Sequence, residues 1–416
     1  MYLGLDFGTS GARAAVVDDN GQTLATANTP YDIHSCASWR EALCELVASL
    51  PAVLRLGLRA ILIDATSATV VLCDRENRPL SPPLLYHDTR AQSQAEQLRG
   101  IAPPQHVVTS ATSSLAKLLW LSGEKVAYAR AEYFLHQADW LTSLLSARTG
   151  ISDYHNALKL GYDPAALAYP RWLLQLDFAH LLPKVMVPGE EIGTIAHTMA
   201  KYLGVNEHCR IHAGTTDSIA AFIASGAHEP GDAVTSLGST MVLKLLSRNS
   251  IDNAEYGIYS HRLGDCWLVG GASNSGGTVL RQFFNDGDLA RLSAEITPKE
   301  GSGLDYYPLP SRGERFPVND PNLAPRLEPR PPSDALFLHG LLEGMARIEA
   351  RGYALLRELG ATPARRVLSA GGGAKNQTWQ VIRMRHLRLP VAVAEHTDAA
   401  YGAARLARRE RHSAID

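Results

Sequence analysis

A chain of 416 residues exceeds what one ordinary hydrophobic core organises and points to two domains. Its 45% apolar and 20% charged residues are those of a folded globular protein, and a formal charge of −2 leaves no electrostatic footprint for nucleic acid or an acidic membrane. The fifteen histidines are scattered, so no metal cluster is expected from them.

The five cysteines, Cys36, Cys44, Cys73, Cys209 and Cys266, are odd in number and contain no CxxC pair. Such residues are expected to be small buried apolar groups in a reducing compartment. No run approaches the roughly 18 uncharged apolar residues of a membrane span. Asp6 interrupts the first apolar stretch, so no signal peptide is read and a cytoplasmic protein is expected.

In chain order, residues 2–6 and 12–17 are short apolar runs around a glycine turn, a β-hairpin pattern. Asn20-Gly21 signals a second turn, and QTLATANTPY supplies a third strand. In WREALCELVASL, Trp39, Leu43, Leu46, Val47 and Leu50 fall on one helix face. LRAILIDAT and TVVLCD then read as buried strands around Ala65-Thr66-Ser67-Ala68. Three strands, a helix and a further strand make an α/β pattern that begins with an antiparallel meander.

Residues 110–205 are helix-rich, and SSLAKLLWLSG and ADWLTSLLSARTG both close at a glycine. RIHAG leads as a strand into TTDSIAAFIASG, a helix continuing to Gly226. DAVTSLGSTMVLKLL then repeats the opening, with two apolar strands around Gly238-Ser239-Thr240 as around Gly8-Thr9-Ser10. The repeat implies a duplicated domain with a boundary near residues 225–230.

GGASNSGGTVLRQFF reads as a glycine turn opening a helix. Eight prolines between residues 305 and 332 read, by composition alone, as a linker. Ser333-Asp334 is positioned to cap a long helix ending at Gly360, and VLSAGGGAKNQTWQVIRMRHL is strand, glycine turn and helix. AAYGAARLARRERH is an amphipathic helix with a basic end.

Three glycine or hydroxyl turns, Gly8 to Gly11, Gly238 to Thr240 and Gly371 to Gly373, lie at strand ends. Backbone N–H groups in such turns can reach phosphate oxygens, although none of the three matches a P-loop or a dinucleotide fingerprint. Together they point to a bound nucleotide. Asp6 ends a strand that reads as buried, where a charge is costly unless it meets donors or a cation; Mg²⁺ would account for it. Asp217 begins a helix, where it can cap N–H groups or serve as a general base for a hydroxyl.

LGLDFGTSGARAAVVDDNG, AGTTDSIAAFIASG, TSLGSTMVLKL and SAGGGAKNQTW, in that order and with LYHDTRA and SDYHNA between them, resemble the FGGY carbohydrate kinases of the actin–hexokinase-like ATPase superfamily. The resemblance covers nearly the whole chain. It implies an α/β protein of two ribonuclease-H-like domains with ATP and sugar in an interdomain cleft. The sugar and catalytic-base domain would be residues 1–227 plus 398–416, and the ATP-binding domain residues 228–397. It also implies that the proline-rich stretch is an ordered loop and that the last helix returns to the first domain.

Carried over residue by residue, the resemblance makes Asp6 the Mg²⁺ ligand facing the reacting phosphate and the sugar. Gly8, Thr9 and Ser10 become the first phosphate loop, and Asp217 the catalytic base. Gly238, Ser239 and Thr240 become the second phosphate loop, with Gly371, Gly372, Gly373 and Asn376 on the adenosine side. Thr66 and Ser67 occupy the positions that contact sugar, where the glycerol kinases carry arginine and glutamate and the xylulokinases methionine and histidine. Asp88, Arg90, His155 and Asn156 are further candidate wall residues.

Two small hydroxyls and a short second domain resemble the D-ribulokinase-like branch, so D-ribulose is the expected acceptor and D-xylulose the alternative. A regulatory sugar- and ATP-binding protein that has lost efficient catalysis is the rival reading. An actin-like or chaperone-type ATPase would have no role for LYHDTRA and SDYHNA. Oligomeric state is not legible in the pattern.

Overall fold

The computed structural model describes residues 1–408. Contacts divide the chain into two compact units, Met1–Ala224 together with the segment from Asp398, and Ser225–Thr397. Each is built on one mixed sheet. In the first unit, Tyr2–Gly8 pairs antiparallel with Gly11–Val17, which pairs antiparallel with Thr23–Thr29. On its other side Tyr2–Gly8 pairs parallel with Ala60–Ala65, which pairs parallel with Arg210–His212 and Thr215–Thr216. An edge strand, Glu191–Thr194, runs antiparallel to Arg210–His212.

The second unit repeats the order. Asp232–Leu237 pairs antiparallel with Met241–Ser247 and parallel with Arg366–Ala370. Cys266–Ser273 and Val391–Val393 extend the two sides, and His261–Leu263 adds an outer strand. Leaving aside the edge strands Glu191–Thr194 and His261–Leu263, the remaining strands of both sheets run third, second, first, fourth, fifth, counted from each unit's first strand. This is the duplicated α/β architecture expected from the two turn echoes.

The cores follow the apolar runs. Leu3, Leu5, Phe7, Ile61 and Ile63 are fully buried with Trp39, Leu43 and Val47 of the Cys36–Ser49 helix. In the second unit Leu243, Leu245 and Val367 pack with Leu341, Leu342 and Met345 of the Asp334–Glu358 helix. Each such side chain contributes roughly 1.5–3 kcal/mol of transfer free energy. Ser333 caps the Asp334–Glu358 helix by accepting a hydrogen bond from Leu336 N.

The helix Ala399–Arg408 lies on the first unit's sheet and brings backbone against backbone. A Cβ at Gly4 would collide with the carbonyl of Ala400, and one at Gly402 with that of Ala220. The end of the basic helix drawn from the sequence, residues 409–416, lies outside the described residues.

Two local readings change. The Ser114–Leu121 helix ends at Ser122 in right-handed geometry, and the Gln137–Ser146 helix is closed by Ala147 at φ 52°, so neither uses its nearby glycine as the left-handed cap. The proline-rich stretch is ordered, not a linker. Tyr307 bridges Arg326, Glu314 bridges Asp320, and Phe316 is fully buried. Among the described residues all five cysteines are free thiols, and no helix is long and apolar enough to cross a membrane.

Candidate active site

The first unit's candidate residues leave the same ends of three adjacent strands. Asp6 is in register with Asp64, and Asp64 with Thr215. One residue on, Phe7 pairs with Ala65 and Ala65 with Thr216. The next positions are therefore Gly8, Thr66 and Asp217, at the heads of three turns. In parallel sheets such strand ends are where ligands gather. Gly8 is buried while Thr9 and Ser10 are exposed at the hairpin tip.

Asp6 is 3% exposed. Its Oδ2 pairs with Arg13 Nη1 at 3.2 Å, and Arg13 Nη2 also donates to Ser10 Oγ at 3.2 Å. Its Oδ1 is buried and meets no donor among the described residues. Burial pushes the Asp6 carboxyl up to about 6; a hydrogen bond with Asp64 and the Arg13 charge oppose the rise, and Asp217 and Asp398 add to it.

Asp64, which the sequence reading passed over, faces Asp6 with 0% exposure, and neither of its oxygens meets a donor from another side chain or the backbone among the described residues. Burial first, then the charges of Asp6 and Asp217, holds it well above the usual carboxylate range. Two facing carboxyls bond only when one keeps its proton, and the more deeply buried Asp64 is the one that keeps it. The signal was present in the sequence, since ILID places an acid in an apolar strand as LGLD does.

Asp217 opens the Asp217–Ala224 helix, half-buried, its Oδ1 accepting from Ser218 N at 2.6 Å. The carboxylate thus accepts a first-turn N–H of its own helix. Thr66 is buried; its hydroxyl lies 2.6 Å from that of Thr69 and 3.1 Å from Gln137 Oε1. Gln137 Nε2 donates to Tyr31 Oη, and Tyr31 Oη to the carbonyl of Gly8 at 2.9 Å. A hydrogen-bonded path thus ties the Thr66 turn to the Gly8–Gly11 hairpin. Ser67 Oγ is a buried hydroxyl without a partner among the described residues.

The remaining wall candidates are held by structural bonds. Asp88 pairs with Arg90, whose guanidinium lies 5.1 Å from the Trp120 ring. His155 Nδ1 lies 2.7 Å from Thr215 Oγ1, and Asn156 Nδ2 donates to Asp153 and to the Thr215 carbonyl.

In the second unit the two glycine turns meet at Leu237. A Cβ at Gly371, where φ is +80°, would lie 2.9 Å from the Leu237 carbonyl, and one at Gly373 would lie 2.9 Å from Leu237 Cβ. Gly372 has open space around it. The Gly238–Thr240 turn is locked by Gly276-Gly277, with Gly277 N donating to the Gly238 carbonyl at 2.8 Å and Thr278 N to that of Ser239. Ser239 is exposed and Thr240 half-buried. Asn376 caps the Gln377–Leu387 helix through Trp379 N and donates to Ser293 Oγ.

For a divalent cation the donor chemistry fits: Asp6 offers a buried carboxylate whose side-chain partners among the described residues are Arg13 and the facing Asp64 carboxyl, beside a glycine whose missing side chain leaves space, since a Cβ at Gly8 would come 3.4 Å from Oδ1. Among the described residues no group of three or more His, Cys, Asp or Glu could hold a metal by itself. One or two carboxylates completed by phosphate and water is the habit of Mg²⁺.

Duplicated mixed sheets carrying hydroxyl–glycine turns at their strand ends define an actin/hexokinase-like ATPase fold. Residues 1–224 match the model of the N-terminal domain, and residues 233–410 that of the C-terminal domain, of the FGGY family of carbohydrate kinases; the chain belongs to this family. It is 27% identical to the xylulose kinase of Streptomyces coelicolor, covering 97% of this chain and 86% of that protein. Against the xylulose kinase of Escherichia coli K12 it is 24% identical, over 98% and 89% of the two chains. The crystal structure of xylulose kinase from Rhodospirillum rubrum superposes with a TM-score of 0.85 at 21% identity, over 98% of this chain and 89% of that one.

Proposed function

We propose that the protein transfers the γ-phosphate of ATP to the terminal hydroxyl of a ketopentose, with D-ribulose the first acceptor and D-xylulose the second. The observation that carries the reading is the convergence of Asp6, the Gly8–Ser10 turn, Thr66-Ser67 and Asp217 at the ends of three adjacent strands. The neutral hydroxyls of Thr66 and Ser67 suit a polyol and supply no charged pair of the kind that marks the glycerol kinases. The names of the curated relatives favour D-xylulose; the missing methionine–histidine pair favours D-ribulose.

In this mechanism Asp217 accepts the proton of the attacking hydroxyl. Bonds to Thr66 and Ser67 orient the sugar, and the Gly8–Ser10 turn in the first unit and the Gly238–Thr240 and Gly371–Gly373 turns in the second contact the nucleotide. Asp6 would hold Mg²⁺, which supplies charge neutralisation for the transferring phosphate. Arg13 keeps the Asp6 carboxylate oriented through Oδ2.

The test is ADP release with ATP and a panel of D-ribulose, D-xylulose, L-ribulose, ribitol, glycerol and gluconate. A kcat/KM for D-ribulose at least tenfold above that for every other acceptor is expected. Preference for D-xylulose would install the second reading, and turnover indifferent to any sugar would remove both.

A further inference from the structure

Lys117 is fully buried in the Ser114–Leu121 helix, yet among the described residues it pairs with no carboxylate. Its Nζ donates to two main-chain carbonyls, Ala68 at 2.8 Å and Leu85 at 2.6 Å. Ala68 belongs to the turn that carries Thr66 and Ser67 and adopts φ +63°, the left-handed region that a side chain disfavours. Leu85 opens the Tyr86–Arg90 loop, whose Tyr86 N donates to Thr69 Oγ1 at 3.1 Å. The same Thr69 hydroxyl meets Thr66, and through Gln137 and Tyr31 the path reaches Gly8.

Resting on the kinase reading above, we propose that Lys117 is a positioning residue for sugar recognition: its buried ammonium pins the strained Thr66–Thr69 turn to the Tyr86–Arg90 loop and so fixes the Thr66 and Ser67 hydroxyls that meet the sugar. Burying a lysine merely to stabilise the fold is a poor arrangement, because its desolvation is costly and an apolar residue of similar volume packs at no such cost. Two carbonyl bonds across loops that are otherwise irregular give the charge a purpose. The groups that face it are Asp88, which favours the charge, and Lys159 and Arg90, which oppose it. Burial brings its pKa down to about 7. Above that value the neutral amine still has two hydrogens to donate, but without charge assistance, so the pin weakens without vanishing.

The experiment measures binding of the sugar preferred in the panel, by calorimetry without ATP from pH 6 to 8.5, on the wild-type protein and on Lys117→Met. The wild-type sugar Kd is expected to rise several-fold across pH 7. In Lys117→Met it should be roughly tenfold weaker at pH 6 and lack the rise centred near pH 7, as expected for loss of a charge-assisted hydrogen bond. ATP affinity and kcat at saturating sugar should stay within about threefold, because the nucleotide turns are untouched. A residue needed only for folding would lower the active fraction and leave Kd unchanged, and that result would overturn the proposal. Should Lys117→Met fail to fold, a pH-independent wild-type sugar Kd overturns it equally. Failure of the kinase reading is separately visible, since a wild-type protein that binds no sugar takes both down, whereas equal binding by wild type and variant removes only the role of Lys117.

Discussion

The two units share one strand order but differ in what stands at the strand ends. In the first, Asp6 and Asp64 face each other in adjacent parallel strands just before the turn. In the second, the matching pair in register is Ser236 and Ala370. The turn echoes align Gly8 with Gly238, Thr9 with Ser239 and Ser10 with Thr240. Both units therefore carry a glycine–hydroxyl turn at the strand end, and only the first sets acids beside it. On the kinase mechanism proposed above, the duplicated backbone would serve both halves while metal and proton chemistry would belong to the first alone.

That asymmetry is broken most severely at Asp217. Asp217→Asn keeps a cap-capable oxygen but removes the base, so kcat should fall by about 10²–10⁴ while ATP and sugar Kd stay within a few-fold. Steady-state kinetics beside calorimetry decide it, and unchanged turnover removes the base. Making the first unit resemble the second with Asp6→Ser should reduce kcat about 100-fold and raise the Mg²⁺ concentration needed for half-maximal rate. The control in the other unit, Ser236→Ala, should change neither by more than about twofold. Comparable losses in the two variants would contradict the division of labour.

The duplication and the opening antiparallel meander were legible because both rest on local patterns: apolar runs of strand length and turns made of Gly, Ser and Thr. Asp64 was legible in principle, because the cost of a buried acid that singled out Asp6 applies equally to the fourth residue of ILIDAT counted from Ile61. Lys117 was not. In SSLAKLLWL a lysine reads as the solvated side of an amphipathic helix, and its burial is created by loops 66–69 and 85–88, whose paths no periodicity encodes. The proline-rich stretch misled composition for a related reason: Phe316 and Glu314 anchor it, Glu314 accepting from Ser273 Oγ and Asn274 N, and single anchors leave no trace in residue content. For Asn376 the structure adds a helix-capping role that motif matching alone would not reveal.

A smaller effect separates glycines needed for close packing from glycines at the cradle. Gly4→Ala should cost about 1–3 kcal/mol, because the added methyl meets the backbone of the Ala399–Arg408 helix, which cannot give way as a flexible side chain would. Gly372→Ala, with open space around it, should stay within about 0.5 kcal/mol. Urea unfolding of both variants tests the pair, and equal stabilities would mean that the last helix yields more readily than its backbone contacts imply.

The smallest effect is a pH dependence of stability that belongs to the first unit's acids. Asp6 and Asp64 have folded pKa values above the ordinary 3.8, to about 6 for Asp6, so the folded state binds more protons than the unfolded chain as pH rises past 4. Their contribution is fully present below the unfolded value and is lost as pH rises through the folded value, so stability falls with rising pH from about 4 to about 6 for Asp6 and further for Asp64. Asp232 and Glu343 in the second unit are shifted the other way, each to about 2, and are ionised in both states between about pH 5 and 6.5. Lys117, brought down to about 7, works in the opposite sense, but only from about pH 7 up towards 10.5. In metal-free protein, Asp64→Asn should therefore flatten the fall and leave the variant more stable than wild type at pH 6.5. Parallel unfolding curves for wild type and Asp64→Asn over that fall would show that the facing carboxyls impose no cost, and the contrast with Ser236 and Ala370 would then be one of sequence without energetic consequence.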